Sequence, residues 1–270
     1  MVTSRSVEPE RYMLFLHGIL GTRANWRGIA RQFVEARPGW GAVLVDLREH
    51  GDSLGFPAPH TVHAAAADVG ELERSLPTPV GGALGHSFGG KVVLEWLLSR
   101  QGQATEAWTI DSSPSPSEAN RDTTAAAEVI RTLEALPRHW QSQEAFVAAV
   151  VEAGQPPRIA QWLAMNLRRT DNGQRTFGPD LEVIRALVDD YARTDGWDVI
   201  EALPEACTLD VVIGGHSKVF STSDRERIER LGRNKSNISV HVIEDAGHWV
   251  HVDAADAVVA LLASRRSPQL

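Results

Sequence analysis

The 270-residue chain has a single cysteine, Cys207. One thiol excludes an internal disulfide and a cysteine-rich zinc site. Its flanks, "PEACTLD", carry no catalytic-cysteine signature, so Cys207 reads as a small core or edge residue. Positive charge is also in short supply. The formal net charge is −8 with ten histidines counted neutral. An acidic balance argues against a nucleic-acid partner, since phosphate binding needs a basic patch. No apolar run approaches the eighteen or so residues of a membrane span. The N-terminal stretch "MVTSRSVEPERYMLFLHG" has its apolar run only at 12–16 and no cleavage site after it, which is unlike a secretory leader. A cytoplasmic protein is the expectation. No internal repeat is visible.

What the chain does have is 43% hydrophobic residues, enough for one sizeable core at this length. Short apolar runs predict strands at 12–16, 41–47, 80–85, 107–111, 209–214 and 238–243. They run apolar throughout rather than alternating, as strands buried on both faces of a parallel sheet do. Amphipathic stretches at 26–36, 62–75, 89–100, 223–231 and 254–264 predict helices between them. The alternation predicts an α/β fold with a doubly wound, mostly parallel sheet. Ligands of such sheets bind at the carboxyl ends of the strands.

One interval departs from this rhythm. Between 114 and 203 the signals are helical only: "TTAAAEVIRTLEAL", "SQEAFVAAVVEAG", "RIAQWLAMNLRR" and "DLEVIRALVDDYAR", punctuated by Pro156-Pro157 and Asp171-Asn172-Gly173. The expected organisation is a core domain made of 1–113 and 204–270, with a helical lid inserted at 114–203.

The stretch "LGHSFGGKVV" at 84–93 has two readings. Gly85-x-x-x-x-Gly90-Lys91 is most of a phosphate-binding loop, but Val92 stands where that loop needs a magnesium-ligating Ser or Thr. Gly85-x-Ser87-x-Gly89 is a nucleophile elbow: a serine on a tight strand-to-helix turn, flanked by tiny residues because strand and helix approach closely there. A strand pattern precedes it and an amphipathic helix follows. The nucleotide reading is therefore the weaker one.

A serine hydroxyl needs a general base. His248, in "IEDAGHWVH" just past the final strand, stands where one would be supplied. His251 reads as structural, and His86, adjacent to Ser87 in sequence, is given no catalytic role. An oxyanion needs two backbone N–H donors. Phe88 follows the nucleophile, and Ile19 lies in the glycine-bearing loop "LHGILGTRANW" after the first strand. The acid is less direct. After the strand at 209–214 the chain reads "GHSKVF", with no carboxylate. Asp224 comes next, inside a first helical turn where Ser223/Glu226 or Ser221/Asp224 could form the cap. Asp111, ending "EAWTID" beside the nucleophile strand, is the favoured acid; the alternative is an Asp that caps the turn through Ser113. "HTVH", with His60 and His63, is a solvated face rather than two ligands of a metal site.

Taken together, "LFLHGILGTRANW", "VLVDLREHGDS", "LGHSFGGKVVLEWL", "IDSSP", "VVIGGHSKV" and "AGHWVH" resemble the α/β-hydrolase superfamily, within it the small serine esterases of the abhydrolase-domain group. The resemblance runs from about residue 13 to 251 and covers the insertion only in kind. It implies an eight-stranded, mostly parallel sheet under a helical cap, with the first two strands short or missing here. It implies carboxylic-ester hydrolysis without a cofactor or metal, with Ser87 as nucleophile, His248 as base, Asp111 as acid, and Ile19 and Phe88 as oxyanion donors. Arg48 and His50 of "REHGDS" read as structural, with His50 near the site mouth. The expected partner is a small-molecule ester. A lyase or carbon–carbon hydrolase on the same scaffold, or a ligand-binding member without turnover, stands as the alternative. In the insertion Trp140, Phe146, Trp162, Met165 and Trp197 read as packing, with Trp140 and Trp162 the candidates for contact with substrate.

Overall fold

The computed structural model describes residues 1–4, 7–100, 106–116 and 125–265. Six strands form the main sheet: β1 (Arg11–Leu16), β2 (Trp40–Val45), β3 (Val80–His86), β4 (Glu106–Ile110), β8 (Thr208–Gly214) and β9 (Ile238–Ile243). Their order is β2-β1-β3-β4-β8-β9, and every neighbouring pair is parallel. The six apolar runs in the sequence are these six strands. The two further strands that the family resemblance implies are not among the described elements; in their place Val2 makes a single antiparallel bridge to Ala42 at the β2 edge.

Successive residues of one strand serve different cores. Met13 and Phe15 of β1 pack with α1 (Arg27–Ala36) and α11 (Ala255–Ser264) through Ile29, Phe33, Val258 and Leu262. Leu14 and Leu16 pack on the opposite face with α2 (Val62–Arg74) and α3 (Phe88–Arg100) through Val62, Val69, Val92 and Trp96. Both faces are covered, which is why the strands read apolar throughout. Each large side chain so buried contributes on the order of 1.5–3 kcal/mol of transfer free energy.

The chain leaves β1 toward β2 on one side and returns to β3 on the other, so the loops after β1 and β3 diverge at a crevice at the carboxyl end of the sheet. At the opposite end, Glu106 opens β4 with a buried two-bond pair to Arg37, at 2.7 and 2.9 Å.

Between β4 and β8 lie α4 (Ala125–Glu134), α5 (Gln143–Glu152), α6 (Pro157–Leu163), α7 (Leu181–Arg193) and α8 (Trp197–Glu201). The interval expected to be helical also contains a small antiparallel sheet. Its strands are β5 (His139–Trp140), β6 (Leu167–Arg169) and β7 (Arg175–Phe177), in the order β5-β7-β6. Asp171-Asn172-Gly173, with Gly173 at φ +84°, turns the β6–β7 hairpin. Strands of two or three residues, rich in arginine, are too short to show a period of two. The expected helix over "RIAQWLAMNLRR" accordingly stops at Leu163, tightens into a 3-10 turn at Ala164–Asn166, and continues as β6. The first residues of "TTAAAEVIRTLEAL" lie outside the described residues.

Candidate active site

The strand-to-helix turn after β3 holds Ser87 at φ +50°, a left-handed conformation costly for a residue with a side chain. The flanking glycines make the turn possible. A methyl group on Gly85 would stand 2.1 Å from the Gly89 carbonyl oxygen, and one on Gly89 would stand 2.6 Å from that of His17. The Ser87 N–H donates to Ile110 O at 3.0 Å, tying the turn to the tip of β4. Buried Phe88 opens α3, whose N-terminal amides favour negative charge.

Asp111 follows at the tip of β4, at φ +45° and fully buried. Its Oδ1 accepts from Gly214 N–H at 3.0 Å. Its Oδ2 accepts from the Ser217 hydroxyl at 2.5 Å and lies 2.7 Å from His248 Nδ1. The last residue of β8 and the carboxylate-free stretch after it thus supply one donor each to the carboxylate at the tip of β4. Asp224 is elsewhere: it accepts from the hydroxyls of Ser113 and Ser115, and α9 (Thr222–Asn234) is capped by Ser221, whose oxygen accepts from Asp224 N–H. Of the two cap frames in the sequence, Ser221/Asp224 is the one used.

His248 lies past β9, where Asp253 Oδ2 accepts from Gly247 N–H at 2.9 Å to hold the turn. Its carbonyl accepts from His86 Nε2 at 2.8 Å, and the two imidazoles are 4.7 Å apart. A carboxylate at Nδ1 keeps the proton there and leaves Nε2 as an acceptor. The imidazole is about a quarter exposed, at 26%. His86, given no role from sequence, is therefore the hydrogen-bonding support of the His248 backbone. Burial drives its pKa well below the ordinary value, with nearby His251 and His248 adding to the effect. His251, on α10 (Val250–Asp253), packs against Trp26 and His86, and burial lowers its pKa to about 3.

The loop after β1 faces the elbow at close range. A methyl on Gly18 would stand 2.8 Å from His86 Nδ1 and 3.3 Å from Ser87 Cβ. Leu20 takes φ +60°. Its N–H donates to His50 Nε2 at 2.9 Å, and Gly21 N–H donates to Gly18 O at 2.9 Å. Among the described residues no group accepts from the Ile19 N–H. His50 in turn donates from Nδ1 to Arg48 O at 2.8 Å. His17 mirrors it, donating to Gly18 O and accepting from Leu47 N–H at 3.0 Å. Two buried, neutral imidazoles thereby interlock the loops after β1 and β2. Burial lowers their pKa values to about 4 for His17 and about 3 for His50. Arg48 pairs with Asp68 and holds Pro59 O, away from this contact.

Sequence reasoning missed the contributions of the interposed segment. Tyr191 on α7 turns its hydroxyl toward Ser87 and Ser112, and burial pushes its pKa up to about 12. The Ser112 hydroxyl has no partner of full hydrogen-bond geometry, so that approach is loose. Asn166 Nδ2 donates to Leu20 O at 2.7 Å. Lys91, the would-be phosphate lysine, is buried and donates to three carbonyls: Ser115 and Tyr191 at 2.9 Å and Thr194 at 2.7 Å. Burial lowers its pKa to about 8. That lysine is committed to the protein's own backbone, which contradicts the nucleotide reading. Of the two tryptophans singled out for substrate contact, Trp162 on α6 meets Trp249, the neighbour of His248, edge-on at 6.4 Å. Trp140 on β5 packs on Phe146, itself stacked on Phe177, inside the interposed segment. Trp197 is buried and donates to Ser115, while Met165 is exposed beside Asn25. His63 is exposed and pairs with Glu95. Among the described residues no three His, Cys, Asp or Glu are grouped to hold a metal ion, and no helix is long and apolar enough to cross a membrane.

A parallel sheet wound on both faces, with a left-handed serine turn after its third strand, defines the α/β-hydrolase fold. The family model described as "Alpha/beta hydrolase family" matches residues 13–261, and the chain belongs to that family. It is 30% identical over 251 residues to the sn-1-specific diacylglycerol lipase ABHD11 of Xenopus laevis, covering 89% of this chain and 75% of that protein. It is 24% identical over 252 residues to the esterase YbfF of Escherichia coli, covering 92% and 89%. Among solved structures, a marine microorganism esterase superposes with a TM-score of 0.78 at 18% identity, covering 94% of this chain and 95% of that one. The chain is an esterase- and lipase-like α/β-hydrolase.

Proposed function

We propose that this hydrolase cleaves carboxylic esters, with short- to medium-chain acyl esters or thioesters as substrates, through a Ser87–His248–Asp111 triad and an acyl-enzyme. His248 Nε2 takes the Ser87 proton as Oγ attacks the acyl carbon. The oxyanion rests on the N–H groups of Ile19 and Phe88. Asp111 holds the imidazole in the required tautomer and stabilises its cation. The alcohol or thiol leaves with the proton from His248. Water, activated by the same imidazole, then releases the acid and restores Ser87 Oγ–H. We further propose that 114–203 acts as a lid on a core made of 1–113 and 204–270, with Trp162 beside Trp249 contacting the acyl chain.

The observation that carries this reading is the 2.7 Å contact of His248 Nδ1 with buried Asp111, at the sheet edge that also presents Ser87 in a left-handed turn. The esterase and lipase relatives favour the same chemistry. Ser87→Ala is expected to abolish hydrolysis of p-nitrophenyl acetate and labelling by a fluorophosphonate, with an unchanged far-UV circular dichroism spectrum. Turnover that survives in the folded variant would remove Ser87 from the mechanism.

A further inference from the structure

The backbone N–H proposed to hold the oxyanion belongs to Ile19, but nothing covalent fixes where it points. It lies in the Gly18–Ile19 peptide, in a loop whose path is fixed by the next residue, Leu20, held at φ +60°. Leu20 is gripped at both polar atoms. His50, from the loop after β2, accepts from its N–H at 2.9 Å. Asn166, from the 3-10 turn between α6 and β6, donates to its C=O at 2.7 Å.

We infer that Asn166 is a positioning residue of the oxyanion hole, so that the lid builds part of the reaction centre as well as covering it. The inference rests on the proposed roles of Ser87 and Ile19. The Asn166 side chain is 4% exposed, and its Oδ1 has no partner among the described residues. The bond to Leu20 is therefore its only polar contact there. A buried amide committed to one backbone carbonyl across 146 positions of sequence serves that carbonyl. Nor is the attachment isolated. Two residues on, Arg168 donates to Gly51 O and lies 3.3 Å from Asp52, while one residue earlier Met165 Sδ lies 3.8 Å from Asn25 Nδ2. Asn25 Oδ1 accepts from Thr22 N–H at 2.7 Å, closing the same loop on itself. The chain from 165 to 168 is thus a third layer over the two interlocked loops.

Removing the Asn166 donor leaves the Leu20 carbonyl buried and unmatched, and frees the Leu20–Gly21 peptide, so that the loop carrying the Ile19 amide can shift. Losing one oxyanion donor costs roughly 10²–10³ in kcat; an inaccurately held one costs less. Asn166→Asp is near-isosteric and cannot donate when ionised; Asn166→Ala removes the side chain. Gln155→Ala is the control, because Gln155 is a buried lid amide bonded to Thr132 and remote from Leu20. Each variant is assayed on p-nitrophenyl acetate below its unfolding transition, and its affinity for an aryl trifluoromethyl ketone is measured. Ser87 Oγ adds to that ketone's carbon, its proton passes to His248, and the ketone oxygen becomes the oxyanion. The expected result is a fall in kcat of about ten- to a hundredfold, on the scale of a small displacement in an active site. KM should stay nearly constant, and affinity for the ketone should fall by the same factor as kcat. Gln155→Ala should lower the thermal midpoint without moving either quantity. If both Asn166 variants keep wild-type kcat and ketone affinity, or lose no more than Gln155→Ala does, the positioning role is overturned. Failure of the underlying site reading looks different: the wild-type protein would then refuse the ketone.

Discussion

Asp111 makes a quantitative test of the proposed triad, because its whole hydrogen-bonding environment is defined. The carboxylate is fully buried and meets three donors: Gly214 N–H on Oδ1, and the Ser217 hydroxyl and His248 Nδ1 on Oδ2. Asparagine in its place keeps one acceptor and gains an NH2. With the amide oxygen on Gly214, that NH2 faces Ser217 and His248. The Ser217 hydroxyl can rotate to accept. The imidazole can accept only by releasing its Nδ1 proton, so the proton moves to Nε2, the nitrogen that must take the proton from Ser87. In serine proteases this wrong tautomer costs on the order of 10⁴ in kcat, which is about 5.4 kcal/mol at about 1.36 kcal/mol per decade. Asp111→Asn is expected to lose between about 10³ and 10⁴ in kcat/KM for p-nitrophenyl acetate, the lower end allowing for a rotated amide that presents its oxygen to the imidazole. Asp224→Asn provides the contrast. Asp224 accepts only from Ser113 and Ser115 in this region, so its loss should change the rate less than about threefold and cost about 1 kcal/mol of stability. Both variants are compared by steady-state kinetics, with a thermal melt as the folding control. A folded Asp111→Asn enzyme that keeps more than a tenth of the rate, or a larger loss at Asp224, would refute the assignment.

Two further expectations follow from packing and burial. Gly18→Ala puts a methyl 2.8 Å from His86 Nδ1 and 3.3 Å from Ser87 Cβ, so it should cost about 1–3 kcal/mol of stability and lower kcat more than it raises KM; kinetics and melting indistinguishable from wild type would contradict the close approach. His17, His50, His86 and His251 all have folded-state pKa values below the ordinary 6.5, so the unfolded chain binds more protons below that pH. Their stabilising effect is full above 6.5 and is lost as pH falls toward 4 and 3, so the melting temperature should drop steadily over that window. His251→Phe, which removes a buried Nδ1 that has no partner, should raise the midpoint at pH 5 more than at pH 8; an equal change at both would show that protonation of this ring is not the cause.

The sheet was legible in the sequence because each strand is apolar on both faces, and the elbow because Gly85 and Gly89 are required by contacts that any side chain would violate. Ser87, His248 and Asp111 were likewise singled out by where they stand relative to a strand end, and the structure brings His248 Nδ1 to 2.7 Å from Asp111. What was not legible depends on contacts between distant segments. His86 looked idle, and His50 was read as structural without a partner, because the groups they bond, His248 O and Leu20 N–H, are main-chain atoms without a sequence signature. Asn166 and Tyr191 belong to a segment whose amphipathic pattern reports burial but not what the buried face touches. The strands β5, β6 and β7 have too few residues to display periodicity. The phosphate-loop spacing at Lys91, already outweighed by Val92, gave no hint of its actual acceptors, which lie 24, 100 and 103 positions away.

Lys91 also has a mechanical consequence. Its ammonium leaves the helix behind the nucleophile and ends on three carbonyls, two of them at the C-terminal end of α7. Pulling that end away would strand a cation and its acceptors in an apolar setting. The other margin, where Arg158 of α6 meets Asp253 through a solvent-facing contact of 3.2 Å, separates at little cost. If 114–203 acts as the proposed lid, its α7 margin is the one held by a buried charge, and the Arg158–Asp253 contact of α6 is the weaker attachment.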